Sequence, residues 1–448
     1  MIRSLLRESL RIGRTRTIPG HGRSARRRFR PAALNLEGRQ LLSAFTLDGS
    51  GNLWEYAHAR WQIIDTGVTS FAVGNPGTAF AGDLLDLHSN GVLSANSGSG
   101  FVAWDSGVTS FAFGNPGTAF AGDLLVLQAN GVLLANAGSG WAAWDSDVAS
   151  FAFGNPGTAF ASDLLVLQAN GVLLANAGSG WAAWDSSVTS FAFGNPGTAF
   201  AGDLLVLQSN GVLLANAGSG WATADCGVTS FAFGKGIWSN GVFALKGDGE
   251  LQESVGNGFC DIDTCVTSFA VGHSGTSWVN SVFALRSDGE LQESVGHGFC
   301  DIDTCVNSFA LGNNGTPWSG DLFALRNDGE LQESAGSGFC DSATCVTSFA
   351  LGNLGSAWAG SLFALRSDGE LMDSVGNGFC DLDTGVKSFL VGRGGYLDVL
   401  ECGGNLWQYS GVCARSLLDQ SVQSIWLGDA GFIVNALEWC GNVRQFAT

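Results

Sequence analysis

A valine opens the same short phrase ten times in this chain, and the phrase returns at nearly constant intervals. The ten positions are Val68, Val108, Val148, Val188, Val228, Val266, Val306, Val346, Val386 and Val422. The steps are 40 residues four times, then 38, then 40 three times, and finally 36. A fixed period of this size indicates a repeat architecture, because one small unit cannot bury its own apolar faces and must pack on its neighbours.

One period, residues 107–146, contains four short apolar segments separated by turn residues. The predicted strands are 108–114, 123–128, 132–136 and 141–145. Asn130-Gly131 lies between the second and third strands, and Asn-Gly between apolar runs predicts a hairpin, with positive φ at both residues of a type I′ turn. Later copies have Asp-Gly at the same place, as at Asp248-Gly249. The same turn chemistry in different letters supports real hairpins.

Four antiparallel strands in about 40 residues, repeated many times, is the pattern of a β-propeller blade. We predict an all-β β-propeller over residues 44–448, built from about ten four-stranded blades of about 40 residues. A parallel β-helix is the alternative, although its coils are shorter and seldom contain a hairpin turn. Propellers usually have four to eight blades. Either one ring is unusually large or two rings lie in series, with the composition change near residue 227 as the predicted boundary.

The charge of the chain is divided unevenly. Residues 1–40 contain 11 of the 21 basic side chains and two acids, which leaves 10 basic and 38 acidic residues, a net charge of −28, for the rest. Such a surface repels nucleic acid and anionic lipid. No uninterrupted apolar run reaches the roughly 18 residues of a membrane helix. We therefore expect neither a nucleic-acid partner nor a membrane span, and we expect a monomer.

The basic head, residues 1–43, has its own pattern. It lacks the apolar stretch of an ordinary secretory signal, but residues 36–43 read Leu-Glu-Gly-Arg-Gln-Leu-Leu-Ser after a basic Phe-Arg-Pro segment at 29–31. This resembles the Leu-Glu-x-Arg-x-Leu-Leu-Ser leader of many large bacterial surface and secreted proteins, although Asn35 and Gly38 depart from its usual residues. The resemblance implies export to the cell surface or medium. A disordered basic tail on a cytoplasmic protein is the alternative.

A second resemblance concerns the repeats. Gly51-Asn-Leu-Trp54 forms a Gly-x-Leu-Trp strand, a strand beginning near Trp61 follows, and Gly67-Val68 opens the next unit. This order is similar to that of tectonin- and tachylectin-like propellers, and in outline it spans residues 44–448. The resemblance implies glycan binding, because that family commonly binds glycans.

All 11 cysteines follow residue 225. Pairing them as 226–260, 265–300, 305–340 and 345–380 would close loops of about 35 residues, each stabilising by about 3–4 kcal/mol. These disulfides would join Cys226, Cys260, Cys265, Cys300, Cys305, Cys340, Cys345 and Cys380. Strand spacing argues against the pairing, because the two cysteines of a pair lie three strands apart, about 14 Å. Free thiols are the alternative, and zinc is disfavoured by the spacing.

The loop after each first strand contains an aromatic residue. These are Phe80, Phe120, Phe160, Phe200, Trp238, Trp278, Trp318 and Trp358. A ring of such side chains at one mouth of a propeller could stack on sugar faces. The alternative interpretation is that each ring fills the gap between neighbouring blades.

Acidic pairs recur in the fourth strand of the later copies. They are Asp261 and Asp263, Asp301 and Asp303, and Asp381 and Asp383. Two carboxylates on one strand face would form part of a calcium shell, which takes six to eight oxygens. The alternative is that these are solvated edge residues that deter strand-on-strand association.

No catalytic constellation is evident. The five histidines, His21, His58, His88, His273 and His297, occupy different repeat positions and predict neither a metal site nor a triad. Near-identical copies favour many weak equivalent sites that bind with avidity. The sequence therefore predicts a non-catalytic, exported propeller that binds glycans or other surface ligands multivalently. A purely structural cell-envelope or adhesion protein is the main alternative, and a propeller hydrolase is a distant one.

Overall fold

The computed structural model describes residues 44–57, 60–412, 414–428 and 433–447, and within them the protein is an array of eleven antiparallel sheets. Nine sheets have four strands and two have three, each in consecutive order along the chain. One short 3₁₀ helix, Gly236–Trp238, is the only helix in these ranges. The predicted all-β, propeller-like fold of about ten blades is confirmed. The predicted leader, residues 1–43, lies outside the described residues.

The sheets are numbered 1 to 11 in chain order, and their strands are as follows. Sheet 1 contains Ala44–Leu47, Leu53–Ala57 and Arg60–Asp65. Sheet 2 contains Val68–Val73, Leu84–His88, Leu93–Asn96 and Val102–Asp105, and sheet 3 contains Val108–Phe113, Leu124–Gln128, Leu133–Asn136 and Trp141–Asp145. Sheet 4 contains Val148–Phe153, Leu164–Gln168, Leu173–Asn176 and Trp181–Asp185, and sheet 5 contains Val188–Phe193, Leu204–Gln208, Leu213–Asn216 and Trp221–Asp225. Sheet 6 contains Val228–Phe233, Val242–Lys246, Leu251–Ser254 and Phe259–Asp263. Sheet 7 contains Val266–Val271, Val282–Arg286, Leu291–Ser294 and Phe299–Asp303. Sheet 8 contains Val306–Leu311, Leu322–Arg326, Leu331–Ser334 and Cys340–Ala343. Sheet 9 contains Val346–Leu351, Leu362–Arg366, Leu371–Ser374 and Phe379–Asp383. Sheet 10 contains Val386–Val391, Leu397–Glu401, Leu406–Gly411 and Ala414–Asp419. Sheet 11 contains Val422–Leu427, Ile433–Glu438 and Val443–Ala447.

In the hairpin between the second and third strands, the glycine has a positive φ angle and the asparagine does not. Gly131 has a φ of 80°, whereas Asn130 is not among the residues with positive φ. Gly131 N donates to the carbonyl of Gln128 at 2.9 Å, and Gln128 N donates to Val132 O at 2.9 Å. This is the pattern of a three-residue connection that ends in a left-handed glycine. The hairpin prediction is confirmed, but the type I′ geometry is wrong, because only one residue of the pair takes positive φ.

The second strand of each four-stranded sheet is buried on both faces. In sheet 3, Leu125 and Leu127 pack on residues of sheet 4, while Leu124 and Val126 pack on sheet 2. Alternate side chains of a strand point to opposite faces, so an uninterrupted apolar strand is stable only between two neighbours. Each fully buried leucine contributes about 1.5–3 kcal/mol through this packing.

Asparagine side chains join consecutive sheets through hydrogen bonds that we call asparagine bridges. In each bridge an amide nitrogen in the loop after the first strand donates to a glycine carbonyl of the next sheet at 2.5–2.9 Å. The bridging residues are Asn75, Asn115, Asn155, Asn195, Asn313 and Asn353. The loops that the sequence marks as Asn-Pro-Gly therefore have a structural role.

Three copies have a basic residue in place of the bridging asparagine, Lys235 in sheet 6, His273 in sheet 7 and Arg393 in sheet 10. Burial lowers the pKa of Lys235. Burial and, after it, the nearby Lys235 charge lower the pKa of His273. Apolar packing nonetheless continues between sheets 5 and 6, because Leu205 and Leu213 share a cluster with Val242. The division into two rings near residue 227 stays a prediction.

The array overlaps itself, since loops of later sheets lie against turns of early sheets. Gly355 N in sheet 9 donates to Ser89 O in sheet 2 at 2.9 Å. The hydroxyl of Ser319 in sheet 8 contacts the carbonyl of Gly49 in sheet 1. A Cβ on Gly315 would lie 2.8 Å from the carbonyl oxygen of Val68, which shows how closely the two backbones approach. Sheets 7 to 9 therefore stack end to end on sheets 1 to 3, an arrangement that the repeat period alone does not reveal.

Candidate functional site

A β-bulge in the fourth strand redirects one side chain in every complete copy. In sheet 2, Leu93 pairs with Asp105 and Ser94 pairs with Ala103, so that Trp104 has no residue opposite it. The same shift leaves the second-to-last residue of the fourth strand without a partner in the other four-stranded sheets, for example Trp144 in sheet 3. A bulge turns its extra side chain away from the regular alternation. In sheets 2 to 4 that side chain is a tryptophan.

A cleft of about 500 Å³ lies beside Trp104, between sheets 2 and 3. Phe80 and Trp104 come from sheet 2, and Trp141 and Asn136 come from sheet 3. Asp83 is the one charged residue in the lining. Trp104 is 37% exposed, whereas Phe80 is buried below it with ring centroids 5.8 Å apart. The cleft therefore offers an accessible indole with a carboxylate and an amide beside it, and we call it the tryptophan cleft.

The same residue types recur at the next two sheet boundaries. The equivalent residues between sheets 3 and 4 are Phe120, Asp123, Trp144, Asn176 and Trp181, and those between sheets 4 and 5 are Phe160, Asp163, Trp184, Asn216 and Trp221. The ring centroids of Phe120 and Trp144, and of Phe160 and Trp184, are each 5.9 Å apart. The spacing at the first boundary thus repeats twice, giving three equivalent positions.

Polar groups of the clefts are held in place by their own backbone. The Oδ1 atom of Asn136 accepts hydrogen bonds from Gly138 N at 2.8 Å and Gly140 N at 3.2 Å, which leaves the amide nitrogen as the group that can donate to a ligand. Burial raises the pKa of Asp123 and of Asp163. Aromatic side chains with a few oriented polar groups are the usual lining of small-molecule sites. Such a lining suits the apolar face and hydroxyl groups of a sugar.

The later copies modify this site. Ile262 and Ile302 occupy the bulge positions of sheets 6 and 7, where the early copies have tryptophan. The loop tryptophans also serve the fold, since Trp238 Nε1 donates to Asn280 O at 2.9 Å and Trp318 Nε1 donates to Gly360 O at 3.0 Å. The tryptophan clefts are therefore a feature of sheets 2 to 5.

The structure places most of the loop aromatics inside. Phe80, Phe120, Phe160, Trp318 and Trp358 are buried between sheets, with Trp358 only 1% exposed. The other three, Phe200, Trp238 and Trp278, are partly buried. The five buried rings fill the gaps between neighbouring sheets, and none of them presents a ring face on which a sugar could stack. The accessible tryptophans lie in the fourth strands, and the recurring Trp-Ala-Ala-Trp of 141–144 and 181–184 was the sequence signal for them.

The acidic pairs are separated by the bulge, which corrects the expectation that both carboxylates share one face. Gln252 Nε2 donates to Asp261 Oδ1 at 2.7 Å, and Thr264 N donates to Asp263 Oδ1 at 2.8 Å. The register shift between Leu251 and Gln252 interrupts the alternation between the two aspartates. Equivalent bonds reach Asp301 and Asp303, while Asp383 accepts the hydroxyl of Tyr409 and Asp381 lies opposite Met372. The pairs therefore do not converge on one calcium ion.

The ten described cysteines are all free and exposed, which corrects the disulfide pairing. Cys226 and Cys265 precede the first strands of sheets 6 and 7, while Cys260 and Cys300 lie in the fourth strands. Cys305 and Cys345 likewise precede the first strands of sheets 8 and 9, and Cys340 and Cys380 lie in the fourth strands of those sheets. The width of each sheet separates the members of a pair. Cys413 lies outside the described residues.

One group of three potential metal ligands occurs among the described residues, Asp65, Asp86 and His88. The expectation that no histidine takes part in such a group is wrong for His88. The sequence did not reveal this group of ligands, because Asp65 belongs to the preceding repeat and Asp86 replaces a residue that is apolar in the neighbouring copies.

No family model matches the chain, and no curated protein matches it. Among solved structures, the computationally designed Ika8 protein is 15% identical with a TM-score of 0.35, covering 68% of this chain and 97% of that one. A similarity of this size carries no argument about function. No helix in the described ranges has the length and hydropathy needed to cross a bilayer.

Proposed function

We propose that this protein is an exported, non-catalytic repeat protein that binds glycans of a surface through its tryptophan clefts. The observation that carries the proposal is the recurrence of at least partly exposed tryptophans beside an aspartate and an asparagine at three consecutive sheet boundaries. Export rests on the leader-like residues 36–43, and glycan binding is also what the resemblance to tectonin-like repeats implies.

Multivalency follows from the repetition. The cleft between sheets 2 and 3 has a volume of about 500 Å³, room for one or two sugar units, so that a single site would bind weakly. Three sites held on one rigid array bind a polymer or a dense surface with an avidity that exceeds each single affinity by 10²–10⁴-fold. The net negative charge favours neutral or basic ligands over anionic ones.

The experiment is a glycan array probed with the folded full chain, in calcium and in chelator. Trp104→Ala and Trp221→Ala remove the two most exposed cleft tryptophans, at 37% and 36% exposure. Trp439→Ala, at 65% exposure in sheet 11, is the matched control. We expect each cleft variant to weaken binding to an immobilised glycan several-fold and the double variant by about 10²-fold, with the control unchanged.

Failure to bind any glycan by a well-folded chain would overturn the proposal and favour the structural envelope role. Equal binding by the double variant would place the glycan site elsewhere. Cell fractionation of the producing organism tests export, because a chain found only in the cytoplasm contradicts it.

A further inference from the structure

The group formed by Asp65, Asp86 and His88 lies between sheets 1 and 2. Asp86 and His88 are alternate residues of one strand and therefore point to the same face. Leu84, two residues before Asp86, packs on Leu53 of sheet 1, which shows that this face is turned toward sheet 1. Asp65 ends the last strand of sheet 1. The three side chains thus meet across a sheet boundary.

The other copies show what an ordinary boundary contains. In sheet 3 the positions of Asp86 and His88 are occupied by Val126 and Gln128, and Gln128 Nε2 donates to Asp105 at 3.2 Å. The same Gln-to-Asp hydrogen bond recurs in sheets 4 and 5. Sheet 2 has exchanged the valine for a carboxyl group and the glutamine for an imidazole, while the Asp65 carboxylate remains.

A third exchange lies opposite Asp86. Its cross-strand partner is Ser94, whereas the equivalent of Ser94 in sheet 3 is Leu134. A serine leaves space that the leucine side chain would fill. Two of the three exchanges put a polar group where sheet 3 has an apolar one, on a buried face next to an acidic residue, and this is costly unless something compensates the charge.

The one positively chargeable group next to Asp86 in the described part of the chain is the imidazole of His88, at 3.7 Å. Asp86 is fully buried, and neither of its carboxylate oxygens has a hydrogen-bond partner among the described residues. A buried carboxyl group of this kind either keeps its proton or binds a cation.

The distances suit a metal ion. His88 Nε2 lies 3.4 Å from Asp65 Oδ2 and 3.7 Å from Asp86 Oδ1, and the ligand atoms are all within 4.8 Å of one another. Ligand atoms bonded at about 2.0–2.2 Å to a tetrahedral ion are about 3.3–3.6 Å apart. Asp65 Oδ1 accepts Thr66 N at 2.7 Å, which leaves Oδ2 to turn toward the ion.

We propose that Asp65, Asp86 and His88 bind one divalent transition-metal ion of the zinc class and so join sheet 1 to sheet 2. An imidazole with two carboxylates suits zinc and its neighbours, whereas calcium and magnesium prefer oxygen ligands alone. The side chains of Asp65 and His88 are 22% and 23% exposed, so water can reach the fourth position. The site does not depend on the glycan proposal.

The test measures Zn²⁺ binding to the chelator-treated full chain by competition with a chromophoric chelator. The exposed thiols are first blocked with iodoacetamide, because thiolates also bind zinc. Asp86→Val and His88→Gln introduce the residues that sheet 3 has at these positions and should therefore fold. His297→Gln is the control, since His297 is exposed and lies in the turn between the third and fourth strands of sheet 7.

We expect one equivalent of Zn²⁺ to bind the wild-type chain and the control, with affinity lowered at least 100-fold in Asp86→Val and His88→Gln. Zn²⁺ should raise the melting temperature of the wild type and the control only. No binding by the wild type would overturn the proposal. Unchanged binding by both folded variants would overturn it as well. If Asp86→Val does not fold, His88→Gln decides the question.

Discussion

The backbone N–H of Gly355 donates a 2.9 Å hydrogen bond to the carbonyl oxygen of Ser89, although the two residues belong to sheets 9 and 2. In a flat ring each sheet would contact only the sheets beside it. This hydrogen bond instead joins the loop after the first strand of sheet 9 to the turn between the second and third strands of sheet 2, which lies at the other end of the strands. The array therefore continues past one turn and stacks on its own beginning. Close backbone approach at glycine makes that stacking feasible.

A methyl group at Gly355 should disturb this contact. Gly355 and Gly157 occupy the same loop position with φ of 81° and 80°, but a Cβ on Gly355 would lie 2.6 Å from Val108 O, whereas Gly157 faces open space. We expect Gly157→Ala to cost about 1 kcal/mol through strain at positive φ, and Gly355→Ala to cost about 2 kcal/mol more. Urea unfolding measures both, and equal losses would show that the layers do not touch in solution.

The asparagine bridges should stabilise the boundaries between sheets. Asn155 Nδ2 donates to Gly194 O and, at 3.0 Å, to Ala201 O. Asn155→Ala leaves these carbonyls without a donor and should lower the free energy of unfolding by about 1–3 kcal/mol. Asn155→Asp should cost more, because it sets a negative charge against two carbonyl oxygens. A milder effect of aspartate than of alanine would contradict the bridge.

Stability should depend on the protonation of Asp398. This side chain is fully buried, Gln408 Nε2 donates to its Oδ1 at 3.1 Å, and burial raises its pKa to about 7 from the ordinary 3.8. Between these pKa values the folded chain keeps a proton that the unfolded chain releases, so stability is lost as pH rises. From pH 5 to pH 7 the loss at this group is roughly 2 kcal/mol.

Asp398→Asn removes that titration and keeps the shape of the side chain. Denaturant unfolding at pH 5 and pH 7 should show a smaller decline for the variant than for the wild type. Identical declines would show that Asp398 is ionised in the folded protein.

The cysteines should react in the native state. All ten described cysteines are exposed and free, so a thiol reagent added to unreduced, folded protein should titrate at least ten groups without denaturant. Intact mass before and after alkylation measures the number. A count of three or fewer would restore the four predicted disulfides.

Local structure was predictable from the sequence. The strands expected at 123–128 and 141–145 are Leu124–Gln128 and Trp141–Asp145 in the structure, because a buried strand reads as an apolar run and glycine marks each turn. The aromatic loop residues were also identified, and their burial was one of the two interpretations that the sequence allowed. The tryptophan clefts were missed. The recurring Trp-Ala-Ala-Trp marks the residues, but the sequence does not show the single-residue bulge that decides which way Trp104 and Trp144 point.

The repeat period by itself determined that the chain forms a long series of antiparallel four-stranded units, since hairpin chemistry and alternate burial act within about 40 residues. Only the tertiary structure decided how that series winds. The contact of Gly355 with Ser89 depends on small twists between sheets that accumulate over several copies. The meeting of Asp65 with His88 depends on which faces two neighbouring sheets present to each other. Neither quantity is encoded in the spacing of residues, because identical spacing is compatible with a closed ring and with an overlapping array.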